Sequence, residues 1–202
     1  MNTDRASKLN GGYIMFDKNI QINTEHLTLR SFCESDSEAM YRIQSNPEMT
    51  KYSPDEPWKS IDEGKEFIKL TQWLYESEYS TFRYFFAVIE KENNILIGYC
   101  GIGGIQYDHA ENEVFYGISE EYWGRGYATE CGKAMLQYGF IQLGLLKVIG
   151  AVHIGNLASI KVLEKIGLKR IGLIHGLPEE FSFYNGEYLY ALDRNEYISK
   201  NL

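Results

Sequence analysis

Cysteine is scarce in this chain, and the three present, Cys33, Cys100 and Cys131, lie far apart in sequence. An odd, scattered set does not make a disulfide framework or a closed zinc site. Small buried thiols in a reducing compartment are the expectation. Positive charge is short as well: 20 Lys and Arg face 28 Asp and Glu, a net charge of −8. Nucleic-acid binders carry a basic surplus, so no nucleic-acid partner is expected. An acidic surface suits a cationic substrate such as an amine, although it is also ordinary among soluble proteins. No apolar run is long enough to span a bilayer. Met1 to Lys18 is polar and lacks the apolar stretch of a signal peptide. A soluble cytoplasmic protein, with no membrane partner, is therefore expected. His26, His109, His153 and His175 show no metal-ligand spacing, so no metal is expected either. Repeats and low-complexity tracts are missing too.

What is present suits one domain. Residues 1–20 read as a loose arm or an extra edge segment, and residues 21–202 as a single domain. Tyrosine is abundant, with 16 residues, and suits strands and clefts that need an apolar body with a polar tip. His26 to Phe32 alternates and predicts a strand. Glu34 to Glu38 offers acceptors to a helix through Ala39, Met40 and Ile43 that ends before Pro47. Pro54 and Pro57 mark a loop, and Ser60 can cap a second helix through Ile61, Phe67, Ile68 and Leu74. Strands over 83–90, 95–106 and 113–118, joined by turns, form an antiparallel meander. A helix over 128–143, a strand over 145–153 and a helix over 156–166 stopped by Gly167 follow. Strands over 168–175 and 188–194 complete the chain. The order predicts an α+β fold, an α/β sandwich with a mixed sheet flanked by helices.

One segment carries chemistry. The strand Glu113 to Ile118 leads to Trp123-Gly124-Arg125-Gly126-Tyr127-Ala128-Thr129, a glycine turn that opens a helix. The first amides of a helix lack internal partners and carry partial positive charge. A pyrophosphate can accept from them where glycine lets it approach the backbone. Arg125 adds a cation that can face the turn or solvent. No Gly-Lys-Ser/Thr follows, and the three-glycine dinucleotide spacing is missing. The second glycine cluster, Gly98 with Gly101 to Gly104, lies inside a predicted strand and reads as a bulge or close backbone packing. A second motif runs from Asn156 to Leu168, with Asn156 as a helix cap and Leu157, Ile160, Leu163 and Ile166 as core.

Together the two motifs resemble the GCN5-related N-acetyltransferase superfamily. More narrowly they resemble its ribosomal-protein N-terminal alanine or serine acetyltransferase branch. The likeness runs from about Leu27 to Tyr197. The family pattern is Gln/Arg-x-x-Gly-x-Gly/Ala; Gly126 and Ala128 match it, Glu130 follows, and Trp123 stands where Gln or Arg is usual. The resemblance implies a mostly antiparallel, splayed sheet, with acetyl-CoA as co-substrate. Its pantetheine arm would meet the main chain near Gly117 and Ile118 and the side chain of Asn156. Its pyrophosphate would sit on Gly124, Arg125, Gly126, Tyr127, Ala128 and Thr129, and Lys133 or Lys161 could meet a 3′-phosphate.

The family transfers the acyl group directly to an amine, which needs a base for the ammonium proton and an acid for the leaving thiolate. Glu113 is the first candidate base, with Glu111 and Asp108 in competition; it reads equally as a strand-edge carboxylate or a substrate anchor. Many relatives place an acidic tyrosine where this chain has Leu163. The ribosomal-protein branch assigns that role to the position of Ser159, and Tyr116 and Tyr122 are further donors. A Cys131 nucleophile has no histidine legibly paired with it. The resemblance implies a protein N-terminus, a polyamine or a small-molecule amine as acceptor, in a monomer or a homodimer. A different acyl group, or a CoA-binding module without catalysis, is the alternative. Residues 34–82 and 176–186 should line the acceptor side, with Glu56, Glu179 and Glu180 as possible anchors for a cation.

Overall fold

The computed structural model describes residues 20–76 and 83–201. The expected arm over residues 1–20 lies, apart from Ile20, outside the described residues. Strand β1 (Gln21–Asn23) pairs with β2 (Leu27–Arg30), then β3 (Arg83–Glu90), β4 (Ile95–Ile105) and β5 (Asp108–Ile118) follow side by side, all antiparallel. Beyond β5 come β6 (Lys147–Val152), β8 (Tyr188–Asp193) and β7 (Lys169–Leu173) at the edge. Only the β5–β6 contact is parallel, and it registers at one pair, Glu113↔Ile149. The sheet is therefore mixed, mostly antiparallel and split at that point, as expected.

Period-two alternation sends the strands' side chains to two different helix layers. Phe86 and Val88 of β3 join the core under α4 (Tyr127–Gln137), which contributes Cys131, Met135 and Leu136. Ala87 and Ile89 face the other way, against Met40 of α1 (Ser37–Gln44) and Ile68 of α3 (Ile61–Glu76). A helix of eleven residues is marginal alone in water, so burial on the sheet holds α4 in place. Truncating fully buried Leu136 to alanine would cost about 2–5 kcal/mol.

Several boundaries differ from the sequence reading, each for a local reason. Pro47 opens the short helix α2 (Pro47–Thr50) as well as ending the previous one, because Asn46 caps it by accepting from the Glu48 amide at 3.0 Å. The helix expected over 128–143 ends at Gln137, and a π turn continues to Gln142. The chain ends in an unanticipated helix, α6 (Arg194–Asn201), which buries no residue and so leaves no apolar stripe to read.

Candidate active site

The site begins at the split between β5 and β6. The Ser119 amide donates to Ile97 O, which makes the odd-numbered residues of β5 the hydrogen-bonded partners of β4. Gly117 therefore bonds Tyr99 of β4. The main-chain groups of Tyr116 and Ile118 point the opposite way, into the gap left by β6. The Trp123 indole N–H donates to Ile118 O. Where the family usually has Gln or Arg, this chain thus has a tie between the turn and the end of β5.

Beyond that tie the chain enters the glycine turn. Gly124 and Gly126 have φ of +76° and +86°, which L side chains rarely adopt. A Cβ on either would meet no atom within 4 Å, so it would project into open space. No side chain caps α4 at Gly126. Open space, uncapped amides and a helix start together fit a pyrophosphate. Arg125 lies back over the Tyr122 ring, 5.0 Å from its centroid, and donates to Glu121 O. Tyr127 turns its ring into the core, while Ala128 packs against it. Tyr127, Ala128 and Thr129 can therefore offer an anion their main-chain amides. Lys133 and Lys161 are both exposed.

Helix α5 (Leu157–Lys165) closes the other side of the gap. Asn156 caps it, accepting from the Ser159 amide at 3.1 Å. Tyr116 reaches across from β5, its hydroxyl donating to Ser159 O at 3.2 Å. Burial raises the Tyr116 pKa, so the hydroxyl keeps its proton. Leu163 is buried core against Gly150 and also borders the cleft.

Asn156, Ser159, Tyr116 and Glu113 share one cleft of about 740 Å³. Its far end is walled by Trp58, Phe67, Trp73, Phe85, Phe115 and Phe183. Phe85, Gly101 and Phe115 stand in register across three strands, and the two rings meet 4.9 Å apart over the glycine. A Cβ at Gly101 would lie 2.2 Å from the Phe115 ring, so the close packing expected of this cluster is what makes room for the wall. One row along, Arg83, Gly103 and Glu113 are in register, and Arg83 Nη2 meets Glu113 Oε2 at 3.4 Å.

Glu113 sits at the vertex of the split, facing the Ala151 main-chain amide of β6. Burial pushes its pKa up to about 7, although Arg83 and that amide pull it down. Glu187, beside the same cleft, is also raised to about 7, first by burial and then by the Glu113 charge. Tyr107 is raised to about 12 by burial and the surrounding carboxylates, and it packs on Tyr184 at 4.9 Å. Two near-neutral carboxyls and one arginine thus face an aromatic cavity.

Glu113 and Ser159 therefore come together in the cleft, while Glu111 pairs with Lys147 at 2.6 Å and Asp108 is exposed. Tyr122 does not line the cleft, and Cys131 is buried with its thiol pKa raised by desolvation and by Cys100. Of the expected acceptor side, Pro54, Trp58, Phe183 and Tyr184 line the cavity, whereas Glu56, Glu179 and Glu180 do not. Sequence reasoning missed Arg83 and Glu187. Arg83 had a signal in Gly103, since a glycine between two meander strands lets their side chains meet. Glu187 had none beyond its place after the Asn185-Gly186 turn. Among the described residues no cluster of His, Cys, Asp and Glu is arranged to hold a metal, and no helix is long and apolar enough to cross a membrane.

A family model described as an acetyltransferase (GNAT) domain matches residues 26–169. An uncharacterized N-acetyltransferase, p20, from Bacillus licheniformis is 29% identical over 86% of this chain and 96% of its own length. The spermidine N(1)-acetyltransferase of Vibrio cholerae is 29% identical over 80% of this chain and 87% of its own. Among solved structures, an acetyltransferase (GNAT family) from Bacillus anthracis superposes with a TM-score of 0.72 at 28% identity, covering 88% of this chain and all of that one. Ribosomal-protein acetyltransferases occur among solved structures at 17% and 19% identity, which carries the fold alone.

Proposed function

The chain belongs to the GNAT acetyltransferase family, and from that premise we propose that it transfers an acetyl group directly from acetyl-CoA to a primary amine held in the aromatic cleft, with Glu113 as general base. GNAT acetyltransferases use acetyl-CoA. The residues that would hold it are the main-chain amides from Gly124 to Thr129, the inward edge of β5 at Tyr116 and Ile118, and Asn156. When bound, it supplies the acetyl thioester that the amine attacks.

The observation that carries the reading is the Glu113 carboxyl, buried at the vertex of the split sheet and titrating near neutrality. A carboxyl poised there can take a proton from an ammonium ion at working pH. Tyr116 and Ser159 present hydroxyls on the cofactor side of the cleft, and either can return a proton to a leaving thiolate. Burial of Cys131, with its raised thiol pKa, supports direct transfer over an acyl-cysteine route. Sequence similarity to a spermidine acetyltransferase supports an amine acceptor. The acceptor is then a polyamine, a protein N-terminus or a small-molecule amine.

Thiol release from acetyl-CoA tests this. Release should require a primary amine and be lost when the same amine is fully N-methylated. Release at equal rates with the methylated compound, or none with any primary amine, would overturn the reading.

A further inference from the structure

The charge at the acceptor end of the cleft is arranged unlike a polyamine site. A polyamine carries several cations spread along a flexible chain, and each calls for an ionised carboxylate. Here the two buried carboxyls, Glu113 and Glu187, sit at one end, and both hold protons more tightly than usual because they are buried. Among the described residues Asp55 is the only other carboxylate lining the cavity, and it is exposed. Arg83 stands beside Glu113 and would repel a second cation there. Around Arg83 the wall is aromatic, with Phe85, Phe115 and Trp58, while Gln44, Gln106 and His153 add polar groups elsewhere in the cavity. The cleft is built for one amine on an apolar body.

Arg83 adds a further requirement. Its guanidinium lies 4.6 Å from the centre of the Phe115 ring and 5.8 Å from that of Phe85. Its Nη atoms make two long contacts, to Gly104 O at 3.5 Å and to Glu113 at 3.4 Å. Its Nε is buried and has no partner among the described residues. The Nη contacts are at the long limit of hydrogen bonding, so a ligand oxygen placed closer to the Nη atoms would be the better acceptor. On a single α-carbon, the amine nitrogen and the carbonyl oxygen lie about 3 Å apart. The same spacing separates the Arg83 and Glu113 side chains.

We infer that the acceptor is an α-aminoacyl group with a bulky apolar side chain, supplied as a free amino acid or as an N-terminal residue. This rests on the acetyl-transfer reading above. The amine faces Glu113, the carbonyl or carboxylate oxygen accepts from Arg83, and the side chain lies against Phe85, Phe115 and Trp58. Arg83 is then the specificity-determining residue.

Five acceptors assayed by thiol release test the inference: L-phenylalaninamide, L-phenylalanine, 2-phenylethylamine, L-alaninamide and spermidine. The amide stands for a peptide N-terminus and the acid for a free amino acid; the faster of the two identifies the source. That compound should exceed 2-phenylethylamine, which lacks the oxygen, and L-alaninamide, which lacks the ring, by roughly tenfold or more in kcat/KM. In R83Q, the ratio of L-phenylalaninamide to 2-phenylethylamine should fall toward one, while an unchanged KM for acetyl-CoA reports an intact fold. Spermidine or 2-phenylethylamine equalling the aminoacyl compounds in the unsubstituted protein overturns the inference and leaves acetyl transfer standing. Release with none of the five but with another primary amine also overturns the inference alone, whereas release with no primary amine at all overturns both.

Discussion

Glu113 joins the two halves of the sheet and also faces the cleft, and the two tasks set opposite demands on its charge. The nearby Ala151 amide and Arg83 both favour the carboxylate, while burial favours the acid. Burial wins, and the balance falls near pH 7, where a base is most effective. For the acetyl-transfer reading this predicts a rate that climbs with pH below about 7 and levels above it. The E113Q variant keeps a neutral side chain of the same shape at the vertex. Its kcat should fall by roughly 10²–10⁴ and the bend near pH 7 should vanish. A full pH–rate profile of both proteins checks this, and a bend that persists in E113Q removes Glu113 as the base. The position of Glu113 on the strand before the glycine turn was legible from sequence, since the motif orders them. Its partnership with Arg83 was not, because strand register decides which residues of a meander share a row.

The elements divide by how locally they are determined. β3 and the cap of α5 were legible because alternation and an Asn before an apolar-periodic run are local signals. β1, α2 and α6 were missed because three- to eight-residue pieces with few buried side chains owe their form to neighbours. The glycine turn is local in sequence, yet its geometry depends on a longer tie, since Trp123 fastens it to Ile118. Two left-handed residues in three then carry the chain into α4. The variant G126V places a β-branched side chain at φ of +86° and into the open space over the helix start. The backbone strain should cost about 1–2 kcal/mol of stability. Acetyl-CoA affinity, measured by calorimetry, should drop at least about tenfold. G126A carries similar strain with less bulk and should lose less affinity. Unchanged affinity in G126V would remove the turn from the cofactor site.

Across the whole molecule the charge pattern is uneven. A net charge of −8 is carried mostly by exposed carboxylates, and those paired with cations, such as Asp62 and Glu196, titrate below their usual range. Their contribution is present at neutral pH and is lost as pH falls through their lowered folded values. Glu113 and Glu187 run the other way, because both folded pKa values are raised to about 7. Between pH 4.5 and 7 the folded protein keeps protons that the unfolded chain has already released. Stability must therefore decline as pH rises through that window and level off above it. For fully buried Glu113 the loss is on the order of 3 kcal/mol. The pair repels itself and titrates as a unit, so the two losses are not independent. In a protein of this size each kcal/mol moves Tm by roughly 2–4 °C. Melting temperatures should thus fall by several degrees between pH 5 and pH 8, and the E113Q/E187Q double variant should flatten that decline. If the decline is as steep without the two carboxyls, the pH dependence belongs elsewhere, His26 being the next group to examine: its raised pKa, set by Glu130, shifts stability in the same direction. A flattened decline would show that the protein holds its cleft carboxyls at a cost in stability, the trade expected of a site kept near neutrality for proton transfer.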